Sequence, residues 1–555
     1  MTTSYSNELI DLLIPEALPA IEEIEAKYPP RKLAEGQKVV RIPPSPTGFV
    51  HIGNISTFFI NERIAHQGQN GGIVYLRIED TDQKREVQGA TELIINTLAE
   101  YNIRVDEGPT TDGKEVGAYG PYVQSKRGKI YKAYVKKLLR EGKAYPCFCT
   151  GEELEAMRKT QEYEGVRPGY YGKWAVHRNL SEAEIREKLA AKLSFTFRMR
   201  SFGDAEKYIT VDDLIKGERQ LPEWDEDTII MKSESGLPTY HFAHVIDDHL
   251  MGTTHVIRGE EWFSSLPRHI QMFAAMGWKA PKYGHIAPLQ KLDNGNRRKL
   301  SKRHDPEASM TYYAEKGYPR RAVLEYLLTL ANSNFEDWRR ANPKRPYEEF
   351  PFSMKKMGTT GALFDFVKLD NISKDFISKM SADEIFSAAY DWAQKYCAPL
   401  KFLMDGSPDY VKAILNIERT GPKVRKDITM WSDLLGEMEY FFDDSFSLTK
   451  EKALELLPGI NPADVAAAAQ RFAKSYDGAD TKDAWFEKVK KIAAGLGYAV
   501  NMKEFQANPA AYKGSVSDIA KIFRVLLTGR AQTPDLHSVM SVMGGQRCLK
   551  RLALL

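Results

Sequence analysis

Two short apolar runs constrain this chain more than any other feature. Val39-Val40-Arg41-Ile42 and Ile73-Val74-Tyr75-Leu76-Arg77-Ile78 show almost no polar alternation. Strands of that kind are usually buried on both faces in a parallel sheet. Parallel neighbours need a long crossover, and the intervening residues supply one. A Pro/Ser/Thr/Gly turn runs from Pro43 to Gly48. Helical spacing then begins near Gly53, puts Ile55, Phe58 and Phe59 on one face, and stops at Gly68. Strand, helix and strand make a βαβ unit, the start of a nucleotide-binding α/β sheet.

Composition bounds the rest. At roughly 150 residues per domain, 555 residues predict about three or four domains. Hydrophobic residues at 43% and charged residues at 28% exclude wholesale disorder. No apolar run approaches the ~18 residues of a membrane span. The first twenty residues carry acids and no basic segment, which argues against a secretory signal. Four cysteines exclude a disulfide scaffold and predict a reducing, cytoplasmic setting. A net charge of +3 is too small to announce a nucleic-acid binder, so any such contact must come from local charge.

Along the chain, residues 1–38 form an extension. Two short helical stretches, 9–14 and 20–27, are broken by Pro15 and Pro19 and stopped by Pro29-Pro30, which predicts a surface brace. From Cys147 to about Pro238 the texture becomes charged and Pro/Gly-punctuated, as in an insertion. Strand-like runs return at 239–246, 255–257 and 285–289. Residues 321–331 are helical. Beyond about Asp365 the pattern is mainly helical, clearest at 463–476, 482–496 and 516–527.

Two segments carry chemistry. Pro44-Ser45-Pro46-Thr47-Gly48-Phe49-Val50-His51-Ile52-Gly53-Asn54 joins a buried strand to a helix N-terminus, where backbone N–H groups and the helix dipole favour phosphate. His51 can donate to a phosphate oxygen, and Gly53 permits close approach of a nucleotide. Arg297-Arg298-Lys299-Leu300-Ser301-Lys302-Arg303 is a basic loop that could close over a triphosphate. Its charge would count most where negative charge develops on departing pyrophosphate.

Together these segments resemble the HIGH and KMSKS signatures of class I aminoacyl-tRNA synthetases, here His51-Ile52-Gly53-Asn54 and Lys299-Leu300-Ser301-Lys302-Arg303. Further motifs resemble glutamyl-tRNA synthetases of bacterial type. They are Arg77-Ile78-Glu79-Asp80-Thr81-Asp82, Gly120-Pro121-Tyr122, Pro238-Thr239-Tyr240, Asp247-Asp248-His249-Leu250-Met251-Gly252 and Val256-Ile257-Arg258-Gly259-Glu260. The C-terminal part matches more loosely, through Leu363-Phe364-Asp365 and Leu527-Thr528-Gly529-Arg530. Asn54 departs from the signature histidine but can still donate to an ATP oxygen.

The resemblance implies an α/β Rossmann-type catalytic domain with an α+β insertion, then a stem-contact region and an all-helical anticodon-binding region. The expected boundaries are 1–38 for the extension, 39–146 and 239–318 for the two catalytic halves, 147–238 for the acceptor-binding insertion, 319–400 for the stem-contact domain and 401–555 for the anticodon-binding domain. It implies ATP contacts at Pro44, Gly48, His51, Gly53, Asn54, Lys299, Ser301 and Lys302, with His51 and Lys302 catalytic. It implies glutamate contacts at Arg41, Ser45, Glu79, Tyr240, His244 and Arg258. Two arginines suit the two carboxylates of glutamate, and Glu79 suits its ammonium.

The implied reaction is glutamyl-adenylate formation from ATP with Mg²⁺, dependent on bound tRNA, then transfer to the tRNA 3′ end. Residues 291–345 hold 13 Lys+Arg against 7 Asp+Glu, a local +6 suited to phosphate contacts. The run Lys423-Val424-Arg425-Lys426 is open between RNA contact and a solvated face. The partners implied are L-glutamate and tRNA(Glu), with tRNA(Gln) left open, and the family suggests a monomer. A glutaminyl enzyme would end in β-barrels, a shortened paralogue would lack the C-terminal region, and an inactive paralogue would not need His51, Lys302, Arg41 and Arg258. No structural zinc is expected. Cys147 and Cys149 match the first ligand pair of zinc-bearing relatives and Tyr170 a later tyrosine, but Trp174 stands where the last cysteine belongs. His177 is the only local substitute.

Overall fold

The computed structural model describes residues 4–68, 70–232, 235–301, 304–421 and 424–553. It divides into two compact units, Met1–Tyr312 with Leu324–Asp365 and Tyr313–Val323 with Phe366–Leu555.

The first unit is built on the βαβ element. Val39–Ile42 pairs in parallel with Ile73–Leu76, Arg41 facing Tyr75 in register. The helix Ile52–His66 crosses between them and is buried over most of its surface, as a crossover helix pressed between sheet and neighbours must be. A second parallel pair, His255–Gly259 with Lys282–Ile286, lies alongside. Thr254 stitches the two pairs together. Its N–H donates to Val39 O at 3.0 Å, its hydroxyl accepts from Val39 N at 2.8 Å, and its carbonyl accepts from Lys282 N at 3.0 Å.

The insertion holds a three-stranded antiparallel sheet of Ala144–Cys147, Thr196–Met199 and Thr228–Met231. Its helices Gly151–Tyr163 and Glu182–Ala190 open with reciprocal caps, Thr150 with Glu153 and Ser181 with Glu184. The hairpin of Tyr208–Asp213 and Gly217–Pro222 completes it.

The run at 239–246, expected to be a strand, is instead the first part of the helix Tyr240–Leu250. Phe242, Ala243, Val245, Ile246 and Leu250 are buried, and so are His244, Asp247 and Asp248. A helix buried all round has no polar stripe, so its first seven residues look like a buried strand.

The N-terminal extension is more than a surface brace. In the helices Asn7–Leu13 and Ile21–Lys27, the side chains Leu9, Ile10, Leu13 and Ile24 are buried in the core shared with Tyr131, Leu138 and Phe242. Polar ties flank that contact. Lys136 pairs with Asp11 at 2.8 Å, Tyr134 donates to Glu25 at 2.6 Å, and Arg31 grips Glu107 through two bonds of 2.7 and 2.6 Å.

The second unit is helical over its described residues. Phe366–Ile377, Ala382–Tyr396, Pro462–Ser475, Lys482–Leu496 and Val516–Thr528 are its longest helices. Phe472 and Phe523 stack with centroids 4.3 Å apart inside a core of Val489, Ile519 and Ile522. Gly497 and Gly529 end two of these helices in the left-handed conformation, at φ 83° and 68°. Among the described residues no helix is long and apolar enough to cross a membrane.

Candidate active site

A cavity of about 670 Å³ opens in the first unit where the βαβ turn meets the second strand pair. Its wall takes residues 43–51, Gly53 and Asn54 from the turn and crossover helix, Glu79 from beyond the second strand, and Tyr240, Arg258, Trp262, Lys299 and Leu300 from later segments. Cavities at the carboxyl ends of parallel strands are the usual ligand sites of such sheets.

His51 is the N-cap of the crossover helix. Its Nδ1 accepts from Gly53 N at 2.8 Å, which leaves the ring proton on Nε2. Asn54 reciprocates, its Oδ1 accepting from His51 N at 3.3 Å. A Cβ on Gly53 would meet His51 Nδ1 at 2.9 Å, so this glycine makes room for the imidazole. Gly48 is required for its backbone, at φ 115°. The Pro44 carbonyl accepts from Glu79 N at 2.9 Å and ties the turn to the second strand. Ser45 is exposed on the cavity wall.

Behind the wall lies a buried ionic cluster. Arg41 has no exposed surface; its Nε lies 3.3 Å from Asp248 Oδ2, and its Nη2 has no hydrogen-bond partner. Arg77 bonds Asp248 at 2.6 Å and Glu79 at 2.8 Å. Arg127 bonds Asp247 at 2.7 Å, where Tyr131 and Gln124 also donate. Burial works against the charge on Asp248, but Arg77, His244 and Arg41 outweigh it and hold the carboxyl well below the usual range. Burial raises Glu79, with Arg77 and Arg41 opposing. Tyr240 lies against Trp262, centroids 4.1 Å apart, and its hydroxyl accepts from Arg258 at 3.4 Å.

The cavity thus brings together Arg41, Ser45, Glu79, Tyr240 and Arg258. It does not include His244. That ring is fully buried, with Nδ1 2.9 Å from Asp248 and Nε2 3.0 Å from the Tyr283 hydroxyl. Burial pushes its pKa down to about 4. His244 follows Tyr240 by one helical turn, but Asp248, one turn further, draws its ring inward. Arg77, Asp248 and Trp262 were not singled out as site residues from the sequence. The run Asp247-Asp248 and the arginine before Glu79 were the available signals, since charges in apolar segments must be paired.

The basic loop begins as a hairpin, Gln290–Asp293 with Asn296–Lys299. Arg298 reaches Asp305 with bonds of 2.6 and 2.8 Å, and Ser301 N donates to the same carboxylate at 2.9 Å. Lys299 is on the cavity wall; Ser301 lies just beyond it. Lys302 and Arg303 lie outside the described residues, as does Lys423 of the C-terminal basic run.

The insertion brings Cys147, Cys149 and His177 together. Nδ1 of His177 lies 3.2 Å from Cys149 Sγ and 3.8 Å from Cys147 Sγ, and the Tyr170 hydroxyl is 3.5 Å from both sulfurs. A tetrahedron with metal–sulfur bonds of ~2.3 Å and metal–nitrogen bonds of ~2.0–2.1 Å has edges of about 3.5–3.8 Å. The three ligand atoms lie within 4.8 Å of one another, so the donor set fits zinc. No structural zinc is expected with Trp174 in the place of the last cysteine; here His177 supplies a third donor beside the two thiols, with the weakly ligating Tyr170 phenol as the fourth group. The short turn Gly172–Trp174 carries His177 back onto the thiols.

Comparison with known proteins accords with this arrangement. The family described as tRNA synthetases class I (E and Q), catalytic domain, matches residues 37–339, and an anticodon binding domain matches residues 390–555. The glutamate–tRNA ligase of Clostridium perfringens (strain 13 / Type A) is 47% identical over 549 residues, covering 99% of this chain and 100% of the relative. That of Acetivibrio thermocellus is 43% identical over 546 residues, 98% of each chain. A crystal structure of a glutamate tRNA ligase from Elizabethkingia meningosepticum in complex with its amino acid superposes with a TM-score of 0.73 at 25% identity, covering 93% of this chain and 98% of that one. With matches of this identity running end to end, and the turn, cavity and helical C-terminal unit in place, the chain belongs to the glutamate–tRNA ligase family of class I tRNA synthetases.

Proposed function

We propose that the protein attaches L-glutamate to tRNA(Glu) in two steps, through a glutamyl adenylate. The observation that carries this reading is the pair of buried guanidiniums at the cavity wall. Arg41 keeps an unpartnered Nη2, Arg258 is held by uncharged groups, and both share the cavity with the Glu79 carboxylate. A ligand with two carboxylates and one ammonium satisfies all three.

In the first step a glutamate α-carboxylate oxygen attacks the α-phosphorus of ATP, and pyrophosphate leaves. Nε2–H of His51 donates to a phosphate oxygen at the helix N-terminus. Gly48, Gly53, Pro44 and Asn54 shape the nucleotide side, and Lys299, Ser301 and Lys302 meet the departing pyrophosphate. Mg²⁺ would supply further positive charge on the phosphates. In the second step a 3′-terminal ribose hydroxyl of tRNA attacks the anhydride carbonyl, and AMP leaves. No side chain becomes a covalent nucleophile, so positioning and electrostatics carry the rate.

Residues 319–400 are assigned to the tRNA stem and 401–555 to the anticodon, in a monomer working in the cytoplasm. ATP–pyrophosphate exchange measured with and without tRNA tests the reaction. Exchange that appears only with tRNA and glutamate is the expected result, and no exchange under any condition would refute it. Charging assays with purified tRNA(Glu) and tRNA(Gln) decide the tRNA range.

A further inference from the structure

Arg258 differs from the other buried arginines around the cavity. Arg41, Arg77 and Arg127 each face a carboxylate. Among the described residues, every hydrogen-bond partner of Arg258 is uncharged. Its Nε donates to His285 Nε2 at 3.0 Å, and its Nη atoms lie 3.2 and 3.3 Å from His269 Nδ1. Tyr240 OH and the Trp262 carbonyl accept the remaining contacts, at 3.4 and 3.2 Å. The Tyr283 ring lies beneath, 5.0 Å from the guanidinium carbon. The residue itself is 4% exposed.

The surroundings hold both imidazoles as acceptors. Nδ1 of His285 lies 2.6 Å from Asp213 Oδ2, so that nitrogen carries the proton and Nε2 keeps its lone pair for Arg258. Asp213 also takes the backbone N–H groups of Ile215 and Lys216, at 3.0 and 2.8 Å, and stands one ring removed from the arginine. Nε2 of His269 lies 2.9 Å from His241 Nδ1, which leaves His269 Nδ1 to accept. Burial lowers the pKa of both rings, that of His269 well below its ordinary value with His244 and Arg258 adding to it, and that of His285 with Asp213 opposing and Arg258 adding. His241 is pushed down to about 3, chiefly by burial.

We propose that His269 and His285 are positioning residues for amino-acid selection: as neutral acceptors they fix the Arg258 guanidinium without cancelling its charge, so that the cavity favours a side-chain carboxylate over an amide. A carboxylate in either place would orient the arginine as well and form a stronger bond. It would also satisfy the charge in advance, and a buried substrate carboxylate would then lose its main compensation. The proposal rests on the reading that Arg258 receives the glutamate side chain.

Two isosteric pairs test it. Asn places a neutral acceptor near Nδ1 of residue 269, and Asp has the same shape with a charge. His269→Asn should keep KM for glutamate within about threefold, whereas His269→Asp should raise it more than about tenfold, a tenfold change being about 1.4 kcal/mol. KM for ATP and kcat should move little in both. His285→Gln and His285→Glu form the second pair, with the same expected order, and carry the test if the first pair melts below assay temperature. Equal glutamate KM within a pair would overturn the role of the histidines. Arg258→Gln separates the two levels: unchanged glutamate kcat/KM there would overturn the assignment of Arg258 itself, while a loss there combined with equal KM within the pairs overturns only the histidine proposal.

Discussion

Arg77 Nη1 donates to Asp248 Oδ1 across 2.6 Å, joining a residue just past the second strand to a helix 171 positions later in the chain. Asp248 also faces Arg41, so one carboxylate holds two guanidiniums behind the cavity wall. Asp248→Asn leaves both arginines buried without that charge. Breaking a buried pair costs roughly 3–5 kcal/mol, and the variant should lose about that much in urea unfolding at pH 7. The sign of its pH dependence follows from a folded pKa held well below 3.8. The stabilisation is complete above the unfolded value and is lost as pH falls through the folded one, so wild type and variant should converge in strong acid. A constant gap down to the lowest accessible pH would contradict this.

His66 closes the crossover helix between two carboxylates, with Nδ1 2.8 Å from Glu62 and Nε2 2.7 Å from Asp106. Burial opposes protonation, but the bonds to Asp106 and Glu62 win and push its pKa up to about 9. A raised folded pKa means stabilisation that is full below the unfolded value of 6.5 and fades as pH rises through about 9. His66→Gln should therefore destabilise clearly at pH 6 and much less at pH 10. Equal losses at the two pH values in urea unfolding would show the ring to be uncharged.

Arg258→Gln should reduce kcat/KM for glutamate by about tenfold or more and narrow the gap to glutamine, since the arginine is the uncompensated charge at the wall. Steady-state kinetics with both amino acids check it.

Lys302→Ala should cut kcat for adenylate formation by roughly 10²–10³-fold, the typical loss of one donor aimed at developing charge. KM for glutamate should stay near wild type, because the contact is made in the transition state. A raised KM with kcat intact would assign the lysine to ground-state binding.

Protein purified without chelator should carry about one zinc per chain, and His177→Ala should lower that content. Elemental analysis decides; metal-free wild-type protein would return Trp174 to the role of filling the site by apolar packing.

The sequence alone pointed to the βαβ start, because Val39–Ile42 and Ile73–Leu76 lack polar alternation, the usual pattern of strands covered on both faces in a parallel sheet. It settled the helical C-terminal part, where the 3.6-residue spacing of 463–476, 482–496 and 516–527 is local and strong. The resemblance of its motifs to glutamyl-tRNA synthetases also named Arg41, Ser45, Glu79, Tyr240 and Arg258, which the cavity brings together. Tertiary structure decided the rest. Residues 240–246 became helix because burial on every side erases the stripe by which a helix is known. His244 turned from the cavity toward Asp248, His177 folded back onto two thiols, and the N-terminal helices found a core face. Whether a polar group meets a ligand or a neighbour depends on which distant side chain can satisfy it once water is gone, and desolvation makes that partner decisive only after the chain has closed around it.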